Sequence, residues 1–233
     1  MKKTIVYLLL GIASCLSLFI SPGCNKINPF TKEKQITVCF VPLDGISKSQ
    51  IEELKKDFQE NFTDKREEVF FVESLEHFNT SDSCINRKYN RFEAGTMLKF
   101  LNNQFGESAN KIACENSERG SSDYYIIGVT NKDISKSNLH NKPNYGILGK
   151  STLGGNVSVI STYRLKNKKE LWKLAMHEFG HGYFNLNHCE NDDPSCIMAD
   201  AKGGNPHFEL KDTLCSTCYE KSLRPDIIRK IIN

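Results

Sequence analysis

Strand-like and helix-like runs alternate through the first half of the chain, and that alternation limits the fold more than any other feature. QITVCFVPL (35–43) is β-branched and aromatic, as a buried strand requires. SKSQIEELKKDFQENF (47–62) places Ile51, Leu54, Phe58 and Phe62 at three- and four-residue intervals behind a serine, the pattern of a capped amphipathic helix. EVFFVESL (68–75) is a second strand, the polar segment around Cys84 a loop, RFEAGTMLKFLNNQF (91–105) a second helix and DYYIIGVT (123–130) a third strand. Strand, helix, strand, helix, strand implies an α/β fold whose sheet contains parallel pairs.

Beyond Thr130 a stretch rich in Asn, Lys, Ser and Gly runs to LGG at 153–155. Loops of that length are usually functional or mobile. Within it, YGILGKS (145–151) suits a short edge strand. NVSVISTYRL (156–165) reads as the last strand and KKELWKLAMHEFGHGYF (168–184) as a helix with Leu171, Leu174, Ala175, Glu178, Phe179 and Gly182 on one stripe.

The N-terminus has the parts of an export signal. Lys2 and Lys3 precede an apolar run from Ile5 to Ile20, and the chain then turns polar at SPGCNKINPF. A transmembrane anchor is the alternative, but the run is short of the roughly 20 apolar residues a span needs. Cys15, in IASC, and Cys24 each resemble the lipidated cysteine of a bacterial lipoprotein. Cleavage at Cys15 would strand LSLFI at the new N-terminus, which favours Cys24. The expected layout is a signal over residues 1–23, a tether over 24–35 and one domain over 36–233, comprising a sheet-and-helix lobe (36–188) and a small Cys-rich lobe (189–233). The expected location is outside the cytoplasm, in the periplasm or at the cell surface, held to the membrane by acyl chains. The formal charge is +3, and Lys2 and Lys3 supply two of those charges. A near-neutral domain argues against nucleic acid as the main partner. No internal repeat stands out, and a monomer is expected.

Residues four apart on a helix stack on one face. His177 and His181 can therefore direct imidazole nitrogens at one zinc ion, at metal–nitrogen distances of about 2 Å. Glu178 lies beside that face, within reach of a water on the metal. This is the HExxH arrangement of zinc hydrolases. Zinc lowers the pKa of its water to about 7, and the carboxylate takes the proton as a carbonyl is attacked, then delivers it to the leaving amine.

The longer pattern HEFGH…HC…CIM…CxxC resembles the archaemetzincins, a branch of the metzincin zinc metallopeptidases. Their pattern begins HExxHxxGxxHC and continues with a cysteine, a residue, a methionine and a terminal CxxC. The matching residues are His177, Glu178, His181, His188, Cys189, Cys196, Met198, Cys215 and Cys218. The resemblance implies a metzincin-like twisted mixed sheet with helices, a zinc-dependent peptidase activity, and a methionine turn at Met198 beneath the catalytic zinc. It also implies a second, structural zinc held by Cys189, Cys196, Cys215 and Cys218. A peptide or protein substrate would lie extended along the strand at 156–163 or the segment at 145–151.

Two departures from the pattern stand out. The glycine of its eighth position is Phe184 here, and the third histidine comes one place late. Asn185 stands three residues before His188, and asparagine tolerates the left-handed conformation that ends such helices better than other non-glycine residues. The spacing therefore implies one extra helical residue, a reversal at Asn185 and His188 as third ligand. Glu190, Asp192 and Asp193 are the competing third ligands. The departure also motivates a second reading, in which the protein binds zinc and a peptide or partner but no longer cleaves. A third reading is zinc hydrolysis of a bond other than a peptide.

Four cysteines within the segment 189–218 also suit two disulfides, which an exported protein's compartment permits. Cys84 and Cys114 either pair or remain free, and Cys39 reads as a small buried hydrophobe. Tyr183 and Tyr219 lie near the site in sequence, but neither is assigned as an oxyanion donor.

Overall fold

The structure, a computed structural model, describes residues 35–62, 69–117, 123–139, 141–191, 193–201, 208–211 and 213–223, without the side chains of 69 and 70. The expected signal, both candidate lipidation cysteines and Asp192 lie outside these residues. The elements run β1 (Gln35–Pro42), α1 (Lys48–Asn61), β2 (Val69–Ser74), β3 (Ile85–Asn86), β4 (Arg91–Glu93), α2 (Ala94–Asn116), β5 (Asp123–Thr130), β6 (Ile134–Lys136), β7 (Tyr145–Ile147), β8 (Gly149–Ser151), β9 (Val157–Ser161), α3 (Leu171–Gly182) and α4 (Ser216–Ser222).

The main sheet has the order β2-β1-β5-β9-β8. Every neighbouring pair is parallel except the last, in which Gly149, Lys150 and Ser151 run antiparallel to Ile160, Val159 and Ser158. Strand alternation divides the core. Ile36, Val38, Phe40, Tyr125 and Ile127 face α1 and α3, while Cys39, Val41, Ile126, Val157 and Val159 face α2. Helices on both faces explain why β1 and β5 read as continuous apolar runs.

Ser47 caps α1 in a reciprocal capping box with Gln50, as the serine in the sequence suggested. α2 runs past the predicted limit of 105 because Ala109 and Ala113 continue the buried stripe of Met97, Leu101 and Phe105. Small side chains carry that stripe with little apolar signal. Its predicted first turn, Arg91–Glu93, is instead β4, and Glu93 caps the helix by accepting the Thr96 N–H at 2.6 Å.

A second sheet, β3-β4-β6-β7, was not expected from the sequence. Its strands are too short to show periodicity. It divides the segment 145–151, so that β7 joins the small sheet and β8 the edge of the large one.

α3 is pinned by rings. Phe179 is fully buried, with Phe58, Phe62 and Tyr125 edge-on to it at 4.9–6.0 Å. Phe184 joins the same group, edge-on to Phe179 at 5.2 Å and to Phe62 at 6.1 Å. Each such ring contributes on the order of 2 kcal/mol by leaving water. The residue that stands in place of the pattern's glycine is thus a core anchor. Cys189, Ile197, Met198, Phe208 and Cys218 belong to the same continuous core. No helix among the described residues is long and apolar enough to cross a membrane.

Candidate active site and cysteine cluster

His177 and His181 stand one turn apart on α3, with their Nε2 atoms 3.1 Å from each other. His177 Nδ1 lies 2.8 Å from the Ile197 carbonyl, and His181 Nδ1 lies 2.6 Å from the Leu186 carbonyl. A carbonyl only accepts, so each Nδ1 carries the hydrogen and each Nε2 keeps its lone pair for a metal. Burial, with His181 next to it, holds His177 neutral, its pKa well below the ordinary imidazole range.

The third histidine arrives by a reversal. Tyr183 is still helical, and Asn185 takes φ +54°. The Leu186 N–H donates to the Gly180 carbonyl at 3.0 Å and closes the turn. His188 then lies with its ring centroid 4.8 Å from that of His181 and 5.4 Å from that of His177. One ligand nitrogen from each of the three histidines lies within 4.8 Å of the others. Around a tetrahedral metal with arms of about 2 Å, such nitrogens stand about 3.3 Å apart. The His177–His181 pair already has that spacing, and His188 stands exposed at the third corner. Asp200 Oδ2, 3.6 Å from His188 Nδ1, supplies the carboxylate that metal-bound histidines commonly have behind them.

Two of the three competing ligands, Glu190 and Asp193, are engaged by other groups. Glu190 forms an ion pair with Lys221 at 2.9 Å, and Asp193 accepts hydrogen bonds from the Ser195 N–H and hydroxyl. Tyr183 is buried and directs its hydroxyl at Asp123, 3.5 Å away. Tyr219 is on the surface of α4, and neither tyrosine lines the cleft.

Glu178 is buried under β8. The Ser151 hydroxyl lies 2.8 Å from Glu178 Oε2 and 2.6 Å from the Glu178 backbone carbonyl, so its single hydrogen is shared between them. A Cβ on Gly149 would come within 2.5 Å of Glu178 Oε1, so only glycine lets the strand lie this close. Burial raises the Glu178 pKa, while His181, Ser151 and Lys150 oppose the rise. The histidines and Glu178 line a cleft of about 780 Å³ that runs along β8 toward β7.

Met198 is fully buried beneath the histidines, and its carbonyl accepts the Cys189 N–H at 2.8 Å. His188 and Cys189, adjacent in the chain, belong to different clusters. One sulfur from each of Cys189, Cys196, Cys215 and Cys218 lies within 4.8 Å of the others, and Cys189 Sγ and Cys215 Sγ are 3.7 Å apart. A tetrahedral zinc with sulfur arms of about 2.3 Å has edges of about 3.8 Å. All four thiols are free, at a spacing that a shared ion would need. Burial raises the Cys196 thiol to about 11 and pushes Cys218 up as well, so zinc would displace protons on binding. Cys39 is buried in β1, as read from the sequence. Cys84 is also free and buried, so it does not pair with Cys114.

Several residues of the site gave no signal in the sequence. Ser151 and Asp200 act through contacts that only the fold creates. Lys211, almost fully buried, donates to the Ala199 carbonyl at 2.6 Å and holds the chain between the two clusters. Lys150 emerges only once β8 is known to border the cleft.

Mixed sheet, edge strand, histidine helix and buried methionine together define a metzincin-type fold. More narrowly, the chain is archaemetzincin-like. Archaemetzincins from Archaeoglobus fulgidus, in a complex with malonate, and from Methanopyrus kandleri superpose with TM-scores of 0.57 and 0.58, at 22% and 18% identity. They cover 79% and 84% of this chain, and 99% and 98% of their own. A zinc-dependent peptidase from Methanocorpusculum labreanum superposes with a TM-score of 0.60 at 15% identity, covering 79% of this chain and 99% of its own. In sequence, an archaemetzincin of Nanoarchaeum equitans is 38% identical over 66 residues, 28% of this chain and 36% of that protein. One from Haloquadratum walsbyi is 31% identical over 107 residues, 40% of this chain and 57% of that protein. The chain thus spans about a third to just over half the length of these curated relatives. No family model matches it.

Proposed function

We propose that the protein is a zinc-dependent peptidase whose catalytic metal is held by His177, His181 and His188. The observation that carries this is the convergence of three imidazoles beside a buried glutamate that Ser151 holds. A zinc ion held there would supply Lewis-acid polarisation of the scissile carbonyl and a water with its pKa lowered to about 7. Glu178 removes the proton from the attacking water and later gives it to the leaving amine. Ser151 holds that carboxyl against β8, and the carbonyls of Ile197 and Leu186 orient the two helical histidines.

β8 supplies the binding edge. The Ser161 N–H donates to the Leu148 carbonyl at 2.7 Å, which puts Leu148 and, two residues on, Lys150 in the pairs bonded to β9. The N–H and C=O groups of Gly149 and Ser151 therefore face the open side, where an extended peptide can add a strand. Cys189, Cys196, Cys215 and Cys218 would hold a second, structural zinc. We read residues 1–23 as an export signal and Cys24 as the anchored residue.

Glu178→Ala tests the mechanism. The variant should keep its zinc and lose about 10²–10⁴-fold in kcat, the usual contribution of a general base. Peptide turnover equal to wild type would refute it. Zinc-loaded wild type that binds peptides without cleaving them would favour the binding-protein reading, for which the late third histidine is the motive.

A further inference from the structure

The sheet-side wall of the cleft carries two ammonium groups that no carboxylate among the described residues meets in an ion pair. Lys150, the middle residue of β8, is half-buried, and Lys136 ends β6 close by; both line the cleft. Neither forms an ion pair with a described residue. The nearby acids are engaged by other groups, Glu178 by the Ser151 hydroxyl on the other face of β8. Glu93 caps α2 through the Thr96 N–H and hydroxyl. Asp133 is shared between two guanidinium groups, Arg91 at 2.8 Å and Arg164 at 2.7 Å. Burial, and next the charge of Lys136, lower the Lys150 pKa, while Glu93 and Glu178 at longer range oppose the fall.

The strand also fixes where this charge acts. Gly149 and Ser151 touch Glu178 from one face of the sheet, so the Lys150 side chain belongs to the opposite face. A peptide residue lying opposite Lys150 would turn its side chain to that same face, with Cβ atoms about 5 Å apart. Its neighbours would turn toward the histidines.

We propose that Lys150, with Lys136 beside it, selects an acidic side chain at that one position of a peptide substrate. The inference rests on the peptidase reading for its substrate and on the fold for its geometry. Fluorescein-labelled peptides that differ only by Asp, Asn or Lys at each position in turn test it twice. Anisotropy gives Kd on zinc-loaded Glu178→Ala protein, and turnover on the wild type gives kcat/KM. One position should prefer Asp over Asn by about fivefold, near the upper end for an opposite-charge cross-strand pair. That preference should vanish in Lys150→Gln and turn toward Lys in Lys150→Glu. Cleavage without charge preference, or a preference that survives Lys150→Gln, overturns the assignment and leaves the peptidase standing. Selective binding of acidic peptides without wild-type turnover keeps the anionic subsite and removes the peptidase. Neither binding nor turnover overturns both.

Discussion

Gly180 lies directly over the Met198 sulfur: a Cβ built on Gly180 would stand 2.5 Å from Met198 Sδ. The methionine turn therefore approaches α3 at Gly180, the residue between the two histidines that has no side chain.

Gly180→Ala should accordingly destabilise the protein. Alanine favours a helix by about 1 kcal/mol, but forcing a methyl into a filled core costs about 1–3 kcal/mol. The net effect should be a fall of a few degrees in Tm and weaker zinc retention, because Ile197, which holds His177, precedes Met198. Thermal melting and zinc titration against a competing chelator check both.

Asn185 should accept glycine and reject branched residues. Asn185→Gly keeps the positive φ and should change Tm by little. Asn185→Val must hold the left-handed conformation at a cost of about 1–2 kcal/mol, or release it and withdraw His188. Zinc affinity at the histidine site should then drop about tenfold or more, measured by the same titration. Unchanged affinity together with an unchanged Tm in Asn185→Val would contradict both outcomes and remove the reversal at Asn185 as what positions His188.

Cys196→Ser should remove one zinc of two. Native protein should show four clustered thiols that react only after chelation, and the variant should bind one equivalent and melt lower. A native mass corresponding to two disulfides in this segment would contradict the shared-ion geometry.

Lys150 gives a stability test with a definite sign. Its folded pKa lies below its unfolded value, so below the folded pKa both states are charged and the folded state bears the whole burial penalty. As pH rises from the folded to the unfolded pKa, the unfolded chain holds more protons and stability increases. Lys150→Gln should therefore raise Tm at neutral pH, and the gain should shrink as pH approaches the lysine range of about 10.4. A gain independent of pH would point to packing and not charge.

The parts legible in the sequence were those set by local periodicity or by fixed spacing. The apolar runs of β1 and β5 announced a sheet covered on both faces. His177 and His181 needed only the helix period to come together, and Asn185 marked the reversal because few other residues adopt its φ. The small second sheet was invisible, since β3, β4, β6 and β7 have two or three residues each and are defined by their partners. Ser151, Asp200 and Lys211 were equally silent. Each reaches the site across a tertiary contact, and nothing in a serine, an aspartate or a lysine says which loop will face it.

His188 and Cys189 share a peptide bond while belonging to different clusters. Any ordering of the cysteine site fixes the backbone that presents the third imidazole, and any ordering of His188 narrows the positions open to the Cys189 sulfur. Affinities at the two sites are then thermodynamically linked, and the link must be equal in both directions. Zinc at the cysteines would raise affinity at the histidines by the same factor that zinc at the histidines raises it at the cysteines. In a partially loaded preparation the product of empty and doubly filled chains should exceed the product of the two singly filled forms by that same factor.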